Sequence, residues 1–301
     1  MTAIAPTPNS PGTPQGTLRL GSRTFGPGSF ALMVIVNRTP DSFYDKGANF
    51  AFDAALAAVD RAVADGADIV DIGGVKAGPG DEVSVDEEIQ RTVPFIAELR
   101  QRHPRLVISV DTWRAEVAEK ATAAGADLIN DTWAGADPEL VSVAAEAGAG
   151  LVCSHTGGMT PRTIAGKVTY EDVVTEVADA LAGAAERALA AGVRRDGILI
   201  DPTHDFGKAT VHSLELTRRL DELVATGWPV LVALSRKDFV GETLDLPVNR
   251  RLPGTLAATA VSAWHGARVF RAHDVTATRQ VLDMVAAIQG HKQPKAPKRS
   301  V

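Results

Sequence analysis

Cysteine and aromatic residues are scarce in this chain. Its 301 residues include one cysteine, Cys153, and only 5% are Phe, Trp or Tyr. A single thiol excludes an internal disulfide framework and is typical of a reducing compartment, so we expect a cytoplasmic protein. The net charge is −6, and no long basic run precedes the extreme C-terminus. This composition argues against a nucleic-acid partner.

Long apolar runs are missing as well. None reaches the ~18 residues that a membrane-spanning helix needs, so we expect no membrane association. Residues 1–16 have neither the positive nor the apolar region of a signal peptide, and their Pro, Thr and Gly predict a disordered leader. The basic stretch 291–301 predicts a disordered tail. No shift in composition divides residues 17–290, which we interpret as a single domain.

Short apolar runs alternate with longer Ala-rich segments along this domain. The runs predict strands at 31–37, 68–74, 106–112, 128–133, 150–155, 198–203, 229–235 and 268–274. Near-continuous apolar strands indicate burial on both faces, as in a parallel sheet covered by helices. Eight strand–helix units over about 250 residues predict an α/β fold, the (β/α)₈ barrel, with an open doubly wound sheet as the alternative. Residues 17–26 predict a short N-terminal β-hairpin.

Polar side chains fall at the carboxyl ends of seven predicted strands. In a barrel these ends meet on one rim, where the loops build the active site. The residues are Asn37, Asp111, Asn130, Asp131, His155, Asp201, Ser235, Arg236, Lys237, Arg271, His273 and Asp274. A single terminal Asp or Asn is as often a helix cap or a turn residue. Capping does not explain the Lys, Arg and His residues, so we interpret this rim as a ligand site.

The mixture of side chains indicates the kind of ligand. Asp111, Asn130 and Asp201 offer acceptors and an amide, which suit a polar heterocycle with amino and ring N–H donors. A second set of residues offers cationic donors and one neutral oxygen, which suit a phosphate or diphosphate, with or without Mg²⁺. This set is Asn37, Lys237, Arg271 and His273.

A series of motifs, taken in order, resembles the dihydropteroate synthase family. The motifs include "NRTPDSFYDKG", "DIGG", "AGADLINDT", "DPTHDFGK", "PVLVALSRKDFVG" and "RAHDV", and the resemblance runs from about Leu18 to Ile288. It implies a (β/α)₈ barrel, usually a homodimer, that acts in folate synthesis. Enzymes of this family join 6-hydroxymethyl-7,8-dihydropterin diphosphate to p-aminobenzoate and release diphosphate with Mg²⁺.

The resemblance also implies roles for the matching residues. The pterin pocket would be lined by Asp111, Asn130, Asp201 and Lys237.

Other positions would serve the reacting ends of the two substrates. Asn37 would hold the metal and the diphosphate, with Arg271 and His273 as further diphosphate anchors. Phe206 would form part of the apolar wall beside the aryl ring. Ser235 would meet the carboxylate of p-aminobenzoate at the start of the following helix, where free backbone N–H groups favour an anion.

The loop after the second strand departs from the family pattern. The family has Asp-Ile-Gly-Gly-Glu-Ser-Thr-Arg-Pro-Gly, whereas this chain has "DIGGVKAGPG", with Val75, Lys76, Ala77 and Gly78 at the changed positions. Ala77 has no hydroxyl and Gly78 has no charge. Lys76 is a cation, but it lies two positions before the place of the family's Arg, and an ammonium group is not a planar bidentate donor. We therefore predict weak or no synthase activity and assign no catalytic residue.

Further departures surround the same rim. Arg38 replaces an apolar residue and either affects anion binding or points outward. Thr203 and Asp205 replace glycines; at a positive φ Thr203 is a poor choice, which would give the loop a different path. His204 adds a titratable group. Lys208 is either a second anion contact or an exposed lysine.

Three functions remain open from the sequence. The first is a dihydropteroate synthase relative that has lost most or all activity but keeps part of the pterin and diphosphate pocket. The second is a transferase acting on a different phosphorylated substrate. The third is a non-catalytic regulator or partner of another enzyme. Whether Mg²⁺ binds without the family's loop contacts also stays open.

Overall fold

The computed structural model describes residues 16–39, 48–163 and 168–296. Most of the leader predicted at 1–16, and residues 297–301 of the predicted tail, lie outside these ranges. Two short strands, β1 (Leu18–Leu20) and β2 (Arg23–Phe25), pair antiparallel and confirm the hairpin. Eight further strands confirm the eight predicted apolar runs. They are β3 (Ala31–Asn37), β4 (Ile69–Gly73), β5 (Val107–Asp111), β6 (Leu128–Asp131), β7 (Gly150–Ser154), β8 (Ile198–Asp201), β9 (Leu231–Ala233) and β10 (Val269–Ala272).

The eight strands form a parallel barrel. The strands pair in chain order from β3–β4 through β7–β8, and β10 pairs with both β3 and β9. The last gap, between β8 and β9, is closed by a parallel bridge between Ile200 and Val230, where the Ile200 N–H donates to the Pro229 carbonyl at 2.9 Å. The barrel is therefore confirmed over the open doubly wound sheet.

Ten α-helices lie in the described part of the chain. They are α1 (Ala48–Ala64), α2 (Val85–Arg102), α3 (Ala115–Ala123), α4 (Leu140–Glu146), α5 (Val173–Ala190), α6 (Thr210–Arg218), α7 (Leu220–Ala225), α8 (Asp238–Leu244), α9 (Leu252–Trp264) and α10 (Val275–Ile288). Helix α2 begins where Ser84 caps it, because the Ser84 hydroxyl accepts the Glu87 N–H at 3.1 Å. None of the helices in these ranges combines the length and apolarity needed to cross a membrane.

Strand side chains alternate between two apolar layers, as the twofold period of a strand requires. On β4, Val70 faces the helices, whereas Ile69 belongs to the layer inside the barrel. The inner layer combines the hairpin with the first inward residue of most strands. Its members include Leu18, Leu20, Phe25, Ile69, Val107, Leu128, Val152, Leu199, Leu231 and Val269. The hairpin therefore closes the amino-terminal end of the barrel like a plug. A ligand would enter from the opposite rim, at the carboxyl ends of the strands.

One buried arginine fastens this plug. Arg268 directly precedes β10 and is 1% exposed. Its guanidinium donates to the carbonyls of Ser29, Gly16, Phe25 and Gly26 at 2.7–3.2 Å. Each of these carbonyls belongs to the hairpin or its flanks. Arg268 therefore supplies hydrogen-bond donors to backbone carbonyls that folding removes from water.

Replacing Arg268 with Met should destabilise the protein strongly. The methionine fills much of the space, but the hairpin carbonyls lose their donors in a buried setting, and each loss costs about 1–3 kcal/mol. We expect the free energy of unfolding to fall by about 3 kcal/mol or more in urea denaturation. The matched control is Arg218→Met, because the Arg218 side chain is 69% exposed. Equal unfolding midpoints for the two variants would contradict the role of Arg268.

Candidate functional site

A cavity of about 300 Å³ opens at the carboxyl ends of the strands, and we call it the cleft. Its lining includes ten of the predicted site residues: Asn37, Lys76, Ala77, Asp111, Asn130, Asp201, Phe206, Lys237, Arg271 and His273. The predicted residues that do not line it are Gly78, Asp131, His155, Ser235, Arg236 and Asp274. Strand geometry explains the gathering, because a residue two positions after an inner-layer residue faces the same side. Thus Asn130 follows Leu128, and Arg271 follows Val269.

The floor of the cleft is an ion network centred on Arg271. Its Nε donates to Asp71 Oδ2 at 2.6 Å, and its Nη2 donates to Asp111 Oδ2 at 2.8 Å. Asp71 is fully buried and also accepts from Ser109 Oγ at 2.6 Å and Asn130 Nδ2 at 3.1 Å. The prediction of site residues missed Asp71. The available signal was a charged residue in the middle of the otherwise apolar strand "IVDIG".

Burial controls the ionisation of these groups. It raises the pKa of Asp111 and Asp201 and lowers the pKa of Lys237. Burial also opposes the charge of Arg271, but the carboxylates of Asp71 and Asp111 outweigh it and raise the pKa of the guanidinium. Arg271 is therefore a fixed cation whose Nε and one Nη2 proton already hold carboxylates. A diphosphate can reach only its remaining donors.

Loop 2, residues 74–81, reaches the cleft with the changed side chains. Val75, Lys76 and Ala77 line the cavity. Within loop 2 these three bring one ammonium group to the cleft and no hydroxyl or guanidinium. A Cβ atom placed on Gly78 would meet no described residue within 4 Å, so among these residues the position has room for a larger side chain.

An aromatic wall stands beside the cleft floor. Phe206 meets Trp133 edge to face, with ring centroids 5.4 Å apart, and Lys237 Nζ lies 4.9 Å from the Phe206 centroid. The Lys237 ammonium also donates to the carbonyl of His204. Trp133 was not predicted as a site residue. It is the second residue after β6, so its position close to a strand end was the signal available.

The loop after β8 keeps a backbone that glycine favours. Thr203 has φ +52° and Asp205 has φ +71°, so both residues that replace glycines adopt the left-handed backbone, including the threonine that the sequence analysis calls a poor choice there. Local hydrogen bonds hold Thr203 in place, because its N–H donates to Asp201 Oδ1 at 2.7 Å. Asp205 Oδ1 accepts from Ser213 Oγ at 3.1 Å.

Two contacts bear on the predicted p-aminobenzoate side. Asp205 Oδ2 accepts the Phe239 N–H at 3.2 Å, so a carboxylate of the chain already lies at the start of α8. The Ser235 hydroxyl lies 2.9 Å from His273 Nδ1 and accepts the His273 backbone N–H at 3.3 Å. Ser235 and His273 are therefore coupled at the rim.

For two residues, Lys208 and Arg38, neither predicted alternative matches the structure. Lys208 is neither exposed nor directed at the cleft, because its ammonium is buried and donates to the carbonyls of His155, Thr203 and Phe206. Burial lowers its pKa to about 7.

Arg38 neither points outward nor lines the cleft. Its guanidinium packs 5.3 Å and 4.8 Å from the ring centroids of Phe52 and Phe95, and burial lowers its pKa.

The described residues hold no group of three or more His, Cys, Asp or Glu side chains arranged for a metal ion. Asn37 Oδ1 and Asp111 Oδ2 both lie near Gly73, at 3.7 Å and 3.8 Å from the position of a Cβ on that residue. The Asn37 amide oxygen suits Mg²⁺, which keeps several waters and takes few protein ligands, whereas Asp111 Oδ2 already accepts from Arg271.

Comparison with known proteins gives consistent matches. The family model described as pterin binding enzyme matches residues 33–273. The chain is 63% identical over 267 residues to a Mycobacterium leprae protein named inactive dihydropteroate synthase 2, with 87% of this chain and 92% of that protein covered. It is 38% identical over 252 residues to the dihydropteroate synthase of Haemophilus influenzae, with 83% and 91% covered.

Solved structures match over the same extent. Dihydropteroate synthase from Xanthomonas albilineans in complex with 7,8-dihydropteroate gives a TM-score of 0.80 at 36% identity, with 91% of this chain and 99% of that chain covered. A Mycobacterium tuberculosis structure gives a TM-score of 0.68 at 52% identity, with 89% and 95% covered.

His204, introduced in the loop after β8, generates a prediction about acid stability. Its ring is fully buried, Nε2 lies 3.1 Å from Thr217 Oγ1, and Nδ1 has no hydrogen-bond partner among the residues that the structure describes. Burial lowers its pKa well below 6.5. As the pH falls below about 6.5, His204 becomes protonated in the unfolded chain but stays neutral in the folded protein. Protonation therefore favours the unfolded state, and the free energy of unfolding decreases.

The variant His204→Phe should remove this part of the acid sensitivity. We expect the stability of the wild type relative to the variant to fall between pH 7 and pH 5, by at most about 1.4 kcal/mol for each pH unit. Urea denaturation at several pH values measures the difference. Parallel stability curves for the two proteins would show that His204 titrates normally.

Proposed function

Because the chain belongs to the dihydropteroate synthase family of pterin-binding enzymes, we propose that it binds a pterin ligand while having weak or no synthase activity. One observation carries this proposal. The cleft keeps the acceptors and cations that suit a pterin diphosphate, yet loop 2 faces it with Val75, Lys76 and Ala77. The relative named inactive dihydropteroate synthase 2, at 63% identity, supports the loss of activity.

The cleft residues suit a pterin in a specific way. Asp111 and Asp201 offer carboxylate oxygens to the amino and ring N–H groups of the heterocycle, and Asn130 offers an amide. Arg271 holds Asp111 in place at 2.8 Å, so the acceptors are fixed before the ligand arrives. Fixed acceptors reduce the entropy lost on binding. The Phe206 ring provides an apolar wall beside them.

The phosphate end of the ligand would lie toward Asn37, Lys76 and His273 at the opening of the cleft. Mg²⁺, when bound by Asn37 and the ligand's own oxygens, would neutralise part of the diphosphate charge. His273, whose pKa burial lowers, would contact the diphosphate through a neutral ring. Its Nδ1 is held by Ser235, so Nε2 is the ring atom left for the ligand.

Two features account for the weak or absent synthase activity. Departure of diphosphate needs charge stabilisation at the reacting centre, and loop 2 lacks the Thr and Arg that the family places there. Removing one transition-state contact typically costs about 3 kcal/mol, or ~100-fold in rate. In addition, the Asp205 carboxylate at the start of α8 would repel the carboxylate of p-aminobenzoate.

Homodimerisation stays an expectation from the resemblance. Helix α9 exposes Val261 and Trp264, which would be available to a second copy. Light scattering at micromolar concentration measures the mass and decides between one copy and two.

Calorimetric titration with 6-hydroxymethyl-7,8-dihydropterin diphosphate and Mg²⁺ tests the binding part of the proposal. We expect micromolar affinity, on the order of −8 kcal/mol. Asp201→Asn should weaken binding about tenfold or more, because a charged hydrogen-bond acceptor is lost. The control is Asp196→Asn, whose side chain is 40% exposed and lies outside the cleft. Absence of heat in the wild type, with normal folding, would refute the proposal.

Restoring loop 2 tests the catalytic part. The variant V75E/K76S/A77T/G78R rebuilds the family sequence, and Gly78 has room for the new side chain. We expect synthase turnover to rise at least ~100-fold over the wild type in a steady-state assay with both substrates. V75E/K76S alone, which restores neither Thr nor Arg, should gain little. Wild-type turnover near one per second would show that the lost groups are not needed.

A further inference from the structure

Loop 2 is fastened to the barrel rim by an arginine from a different loop. Arg162 lies between β7 and α5, and its guanidinium reaches 81 residues back along the chain, where Nη1 donates to the Asp81 carbonyl at 2.6 Å. Its Nε donates to the Gly78 carbonyl at 3.4 Å. One planar guanidinium therefore holds two carbonyls that are three residues apart.

The backbone of Arg162 is adapted to this contact. Its φ of +63° lies in the left-handed region, which residues other than glycine rarely adopt. The guanidinium also lies close to Gly80, where a Cβ atom would be 3.0 Å from Arg162 Nη2. Arg162 therefore contacts loop 2 along residues 78–81.

A second arginine holds the other end of loop 2. Arg91 on α2 donates to the Gly74 carbonyl at 2.8 Å and pairs with Glu87. Neither Arg91 nor Arg162 lines the cleft, so both guanidinium groups act on the loop backbone and not on a ligand. Between these fixed ends, Lys76 is the one charged residue of loop 2 that lines the cleft.

We propose that Arg162 is a positioning residue: it fixes loop 2 so that Lys76 selects the phosphorylated form of the pterin over the unphosphorylated form. The proposal rests on the proposed function, because it assumes a pterin in the cleft. A lysine on an unrestrained loop would lose part of its electrostatic gain to the entropy of ordering the loop. The contacts of Arg162 order the loop beforehand.

The geometry of Arg162 matters as much as its charge. A lysine at position 162 would keep the positive charge, but one ammonium is a point charge and lacks the planar fork that spans both carbonyls. Arg162→Lys therefore separates local positioning of loop 2 from a long-range attraction between the arginine and an anionic ligand.

A double-mutant cycle in calorimetry tests the inference. The ligands are 6-hydroxymethyl-7,8-dihydropterin and its diphosphate with Mg²⁺, and the proteins are the wild type, K76Q, R162K and K76Q/R162K. We expect each single variant to bind the diphosphate about tenfold more weakly, and the unphosphorylated pterin within about twofold of the wild type. The double variant should be no weaker than K76Q alone. R218K, an exposed matched change, should have no effect.

Several results would overturn the inference. Wild-type affinity in R162K, multiplying effects of the two substitutions, or equal losses for both ligands would each show that Arg162 does not act through Lys76. In these cases the pterin still binds the wild type, and the proposed function stands. Failure of both ligands to bind the folded wild type would instead refute the proposed function and this inference with it.

Discussion

The cleft depends on one arginine that neutralises two buried carboxylates. Arg271 donates to Asp71 at 2.6 Å and to Asp111 at 2.8 Å, and without it two negative charges would face each other inside the barrel. Leaving such a charge unpaired in a low-dielectric interior is strongly unfavourable. The same pairing fixes the acceptors that suit a heterocycle. Stability of the barrel and shape of the ligand floor are thus set by the same contacts, so the floor is hard to change without harming the fold.

The rim is under no such constraint, and there the chain differs from the family pattern. Loop 2 lies outside the apolar layers, and its position depends on backbone carbonyls held by Arg91 and Arg162. These contacts do not involve the side chains at positions 77 and 78, so Ala77 and Gly78 could replace reactive residues while the loop stayed in place. The loop after β8 behaves similarly, since Thr203 and Asp205 keep left-handed backbones with the help of side-chain hydrogen bonds.

Much of this could be predicted from the sequence, because strand period and apolar runs are local signals. The barrel, the hairpin and the gathering of residues such as Asn130 and Arg271 follow from where the strands end. Contacts between distant segments could not be predicted. Asp71 was hidden inside a strand, and the burial of Lys208 depends on three carbonyls that only the folded loops bring together. The partners of Arg162 are 81 and 84 residues away, and no local pattern encodes them.

The fastening of the hairpin by Arg268 has a consequence for biosynthesis. The carbonyls it satisfies lie about 240 residues earlier in the chain, so during synthesis the hairpin segment is made long before the arginine that holds it. Until then, the apolar hairpin residues Leu18 and Leu20 have no finished barrel to enter. A nascent chain therefore exposes them throughout translation, when contacts of such long range are slow to form and aggregation competes.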